Sequence, residues 1–127
     1  MRCGFVWRRD HAQLGSFEAR AWKCVIVPAT AEFGRARNRM TTTCLLDLQS
    51  AEDPLLRAAA EEGARSAILM PISDGGDTIA MLELMSLGTA TPGPDLIVSL
   101  DAITLQLGAL ARLLKFSDDR SWRLGRV

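Results

Sequence analysis

The residues able to do chemistry are few and scattered. Three cysteines, Cys3, Cys24 and Cys44, and a single histidine, His11, all fall within the first 44 of 127 residues. No CxxC pair occurs, and one histidine cannot complete a four-ligand set, so the pattern predicts neither a zinc site nor a disulfide framework. A reactive thiol needs a pKa lowered by neighbouring positive charge or a helix N-terminus. Cys24, beside Lys23, gives only a hint of this, and all three cysteines read as small buried apolar residues. The expectation is a chain with no metal, no cofactor and no catalytic residue.

Charge narrows the partners. The 15 Lys+Arg balance the 15 Asp+Glu, but bases dominate residues 1–40 and 112–127 and acids dominate 41–111. Phosphate-backbone binding needs several bases on one surface, and only Arg8, Arg9, Arg35, Arg37 and Arg39 qualify, which argues against nucleic acid. No uncharged apolar stretch reaches the ~20 residues of a membrane helix, and no secretory signal is visible. The expectation is a cytoplasmic protein with no membrane partner.

A chain of 127 residues with 48% hydrophobic content suits one core, placed over residues 1–116, followed by a polar tail over 117–127. The clearest local signal is a β-hairpin: apolar runs over 66–72 and 78–85 flank Ser73-Asp-Gly-Gly-Asp77. Because both runs are apolar at successive positions, each strand is expected to be covered on both faces. Pro71 cannot donate to a ladder and should sit at a bulge or where the partner strand ends. Asp53-Pro54, followed by strong helix formers and Gly63, predicts a helix over about 54–62. Residues 41–48 read as a strand, and residues 3–8 and 14–22 as two more. From Asp95 to about Phe116 runs a long helix with two apolar stripes. One is Leu96, Leu100, Ile103, Leu107, Leu110 and Leu114; the other is Val98, Ala102, Leu105, Ala109 and Phe116.

The order of these elements, and several stretches within them, resemble the GAF domain, a sensory module related in architecture to PAS domains. Gly34-Arg-Ala with Leu46-Asp-Leu48 is similar to the family's Gly-Arg-Ala/Val-Trp…Trp-Val-x-Asp-Leu stretch. Leu55 to Ile72 is similar to Ala-x-x-x-Gly-Leu-Arg-Ser-Ala-x-x-x-Pro-Ile, and Leu82-Glu-Leu-Met-Ser86 to Gly-x-Leu-Glu-Phe-x-Ser. The resemblance implies an α+β fold, a central antiparallel sheet with helices packed on it and a long C-terminal helix. It implies a non-catalytic sensory or regulatory module in signal transduction or transcription control, which binds a small molecule or dimerises.

Within that resemblance the sequence starts almost at the first strand, so the usual N-terminal helix is expected either to be absent or to have been cut off at the gene start; the segment between Trp22 and Gly34 is short, and Ala80 stands where a glycine is common. Bilin-binding members carry Cys-His, whereas Cys44 precedes Leu45; the cyclic-nucleotide signature Asn-Lys-x-x-Phe-Asp-Glu is absent; haem would need a pocket histidine, and His11 falls in a polar turn. The enzyme alternative is a thiol-dependent reductase of the free methionine sulfoxide type, whose cysteine spacing this chain does not reproduce. A ligand pocket is expected at Trp22, Arg35, Leu46, Met70 and Met85. With two apolar stripes and no N-terminal helix to cover one, the C-terminal helix is expected to form a homodimer interface through Leu100, Leu107 and Leu114.

Overall fold

The structure is a computed structural model, and it describes residues 31–117. The strands expected over 3–8 and 14–22, together with Cys3, His11, Trp22 and Cys24, and the tail beyond Ser117 lie outside the described residues.

Helix α1 (Ala31–Arg39) carries Glu32 in its first turn and Arg37 and Arg39 in its last, the polarity a helix dipole favours. It turns Phe33 and Ala36 inward and stops where Met40 takes a left-handed φ of 53°. Strand β1 (Thr43–Leu45) is shorter than the run over 41–48 predicts. Asp47 ends it by accepting bonds from the Gln49 amide (3.1 Å) and the Ser50 hydroxyl (2.6 Å), which folds Leu48–Ser50 into a 3-10 turn. Helix α2 (Pro54–Glu61) begins as its sequence predicts: Asp53 caps it by accepting from the Leu55 amide at 2.9 Å, and Pro54 occupies the first turn.

Strands β2 (Ser66–Asp74) and β3 (Asp77–Ser86) form the expected hairpin, with Gly75 and Gly76 at positive φ in the turn. The sheet order is β1-β2-β3, antiparallel throughout. The last β1 partner on β2 is Leu69, so Pro71 lies beyond the end of the neighbouring strand, where a missing N–H costs nothing. A register shift follows, with Ile72 opposite Ala80 but Ser73 opposite Thr78; Ile79 is the extra residue of a bulge.

Helices α1 and α2 cover one face of the sheet. There Phe33, Ala36, Leu48, Leu55, Leu56 and Ala59 close over Ala67 and Leu69, and Leu45, Met81 and Met85 pack at the margin. Side chains alternate along a strand, so Met70 buries on the other face. Helix α3 (Pro94–Ser117) runs over that face along β2. Its buried positions are Leu100, Thr104, Gly108 and Ala111, spaced four, four and three apart on a single stripe. Gly108 fixes how closely helix and strand approach, because a Cβ there would lie 2.2 Å from the Ser73 carbonyl oxygen. Two polar ties flank the contact: Arg112 Nε meets Asp74 Oδ1 at 2.7 Å, and the Thr42 hydroxyl donates to the Asp101 carboxylate.

The structure bears on three expectations. Strand β3 is only partly covered, and Leu84 is exposed. The stripe assigned to a dimer interface does not stand clear of the domain, since Leu100 is 8% exposed and turned onto β2, Leu107 is half-buried and only Leu114 is exposed. Finally, Pro94–Leu114 has a mean hydropathy of 1.6 over its most apolar window and is long enough to cross a membrane. A search for uncharged stretches misses it, because Asp101 and Arg112 interrupt the run.

Candidate functional site

Carboxylates, and not thiols, gather beneath the two short helices. Glu32, in the first turn of α1, is buried and reaches across to the entrance of α2, where its two oxygens accept the Glu52 and Asp53 amides at 2.9 Å each. Burial alone would raise its pKa; the amides of Glu52, Glu32 and Asp53, together with Arg35, outweigh that and hold it below the usual carboxylate range. Behind the same segment, Arg57 donates through Nε and Nη2 to the Ala51 carbonyl at 3.3 and 3.2 Å. The loop over 51–53 is therefore held from both sides, and the buried Asp53 is fixed in place as the α2 cap.

Glu83 faces this arrangement from the sheet. It lies opposite Leu69 in the β2–β3 ladder and shares a face with Met81 and Met85. Desolvation, and after it the charge of Asp53, pushes its pKa up to about 8. At neutral pH it is therefore mostly the neutral acid, a hydrogen-bond donor in an apolar setting. Part of its surface remains accessible. The sequence signal for Glu83 is a lone charge inside the apolar run over 79–85.

The predicted pocket residues do not assemble into one site among the described residues. Arg35 is exposed on α1. Met70 is buried on the α3 side of β2, whereas Met85 packs at the margin of the α1–α2 core. Leu46 and Met85 do meet, at a recess of about 110 Å³ lined also by Cys44, Ile68, Leu84 and Pro92, beside the loop leading into α3. Ser66 closes its floor by donating to the Gly88 carbonyl at 2.7 Å. None of the residues lining it carries a charge at neutral pH.

Cys44 at the recess is an exposed free thiol. Desolvation and the nearby Asp101 push its pKa up, away from the thiolate a nucleophile requires. No group of three or more His, Cys, Asp or Glu residues suited to a metal ion occurs among the described residues.

No protein-family model matches the sequence, and no curated protein matches it significantly. Solved structures do match. The GAF domain region of a Geobacter sulfurreducens PCA protein superposes with a TM-score of 0.55 at 20% identity, over 67% of this chain and 58% of that one. A domain from Sinorhizobium meliloti 1021, in a protein described as a two-component sensor histidine kinase, superposes with a TM-score of 0.62 at 14% identity, over 84% of this chain and 69% of that one. The sheet with α1 and α2 on one face, the β2–β3 hairpin and the long terminal helix are the parts the expected architecture names. The chain has a GAF-like α+β fold.

Proposed function

We propose that the chain is a non-catalytic sensory or regulatory module that works as a homodimer, with α3 as the element joining the two copies. The observation that carries this reading is the outer side of α3. Val98 is 68% exposed, Leu105 76% and Leu113 67%, all on one helix that already packs its opposite side on β2. A buried leucine side chain is worth about 1.5–3 kcal/mol relative to an exposed one, so such a row favours a cover. The sensor-kinase context of one structural neighbour agrees with a regulatory role. If a small molecule is sensed, the polar feature available to it is the carboxyl of Glu83, facing Asp53 beneath α1 and α2.

The raised pKa of Cys44 speaks against thiol chemistry of the methionine sulfoxide reductase kind at that residue. We read α3 as a domain helix and not a membrane span, because Leu100, Thr104, Gly108 and Ala111 pack on the sheet and Asp101 and Arg112 are tied to it. Light scattering tests the reading. At ~100 μM an interface with a Kd of ~1 μM is nearly fully formed, so a dimer mass is expected and a monomer would refute it. Native mass spectrometry of the same sample reveals any retained ligand.

A further inference from the structure

Resting on the dimer reading above, we propose that the two copies pair through α3 in antiparallel orientation, about a twofold axis that passes beside Leu105. The outward line of α3 consists of Asp95, Val98, Ala102, Leu105, Ala109 and Leu113, all exposed and spaced three or four apart. The helix spans Pro94–Ser117, so its midpoint falls between Leu105 and Gln106. Val98 and Leu113 lie equally far from that midpoint on opposite sides, and so do Ala102 and Ala109. Antiparallel pairing therefore sets Val98 against Leu113 of the second copy and Ala102 against its Ala109. The two Leu105 side chains, 76% exposed, flank the axis. Large meets large near the ends, and small meets small between them, where the backbones can approach.

Charge gives the same orientation. Asp101 and Arg112 lie on one flank of α3, both exposed, on opposite sides of the midpoint and matched to within about two residues in their distance from it. In an antiparallel pair a flank meets the same flank of the other helix, so Asp101 of each copy comes beside Arg112 of the other. Arg112 reaches Asp74 of its own chain through Nε, and a guanidinium has further donors for a second carboxylate. A parallel, in-register pair does the opposite. It places Asp95 against Asp95 on the seam, and it turns the Asp101–Arg112 flank toward the apolar flank of Leu96, Ile103 and Leu110.

Cysteine cross-linking tests the orientation, in a background with Cys3, Cys24 and Cys44 changed to serine. A disulfide needs Cα atoms within about 7 Å, whereas in the antiparallel pair the two copies of residue 102 are offset along the axis by about 10 Å. Ala102→Cys alone is expected to remain unlinked under mild oxidation, and an equimolar mixture with Ala109→Cys is expected to give a covalent dimer. Val98→Cys mixed with Leu113→Cys is a second, independent pair with the same expectation, should the first perturb folding. Self-linking of Ala102→Cys in a protein that light scattering shows to be dimeric would mean parallel chains, which overturns this inference and leaves the proposed function standing. A monomer at ~100 μM, with or without binding to phosphatidylglycerol-containing vesicles, overturns both.

Discussion

Glu83→Gln converts the raised carboxyl on β3 into a permanent neutral isostere, and its effect should depend on pH in a defined way. In the folded chain Glu83 holds its proton until pH approaches about 8, against an ordinary value of 4.5. Between these limits the folded state binds more protons than the unfolded state. Stability therefore falls as pH rises, by up to about 1.4 kcal/mol per unit. From pH 4.5 to 7 that amounts to about 3 kcal/mol, a substantial part of a domain's typical 5–15 kcal/mol. The glutamine variant lacks this group's contribution. It should match the wild type near pH 5 and exceed it by about 3 kcal/mol at pH 8. Urea unfolding followed by circular dichroism at pH 5, 6.5 and 8 measures the difference directly. Titrating groups far from Glu83 cancel in the comparison because both proteins carry them. A gap between variant and wild type that stays constant across this range would refute the argument, for it would mean that Glu83 ionises normally.

Other outcomes follow from the packing. Leu69→Ala empties a fully buried position between sheet and helices and should cost about 2–5 kcal/mol in chemical denaturation. Gly108→Ala drives a methyl group into the Ser73 carbonyl; a loss of about 1–3 kcal/mol is expected, and wild-type stability would show that α3 sits farther from β2. Asp53→Ala removes the cap of α2 and should lower the urea midpoint by an amount corresponding to about 1–2 kcal/mol. Leu105→Glu, at a strongly exposed leucine of α3, should yield a folded monomer by light scattering and circular dichroism.

What the sequence made legible was mostly local. The hairpin over 66–86 is specified by its glycine pair, α2 by its Asp-Pro start, and the placement of Pro71 by the hydrogen bond it cannot make. The facing of α3 was not legible in this way. Its two apolar stripes are equally periodic, yet the inward line, Leu100, Thr104, Gly108 and Ala111, is neither of them; the small size of Gly108 and Ala111 lets the backbone settle on β2. Hydrophobicity ranks glycine and alanine low, so a search for leucine repeats gives them little weight and picks Leu100, Leu107 and Leu114 for the exterior. Glu83 stayed hidden for a related reason. Its neighbours on both sides are apolar, and only the register with Leu69 reveals the face onto which it turns. Met70 and Met85 look equivalent as pocket residues, yet Met85 lies opposite Ala67, an odd three residues from Met70 on the pleat, so the two fall on opposite sides of the sheet.

The contact of Gly108 with Ser73 bears on how this domain could pass a message. Most helix–sheet contacts are cushioned by side chains that can change rotamer and absorb a small movement. At this point main chain rests against main chain, with no side chain between them. The strut lies just past the bulge at Ile79 and beside the Asp74–Arg112 tie, so the free end of the hairpin is gripped where the helix is least yielding. A shift at the hairpin tip therefore bears on α3 with no side chain between to absorb it. A close approach at one glycine thus links the place of the hairpin to the place of α3.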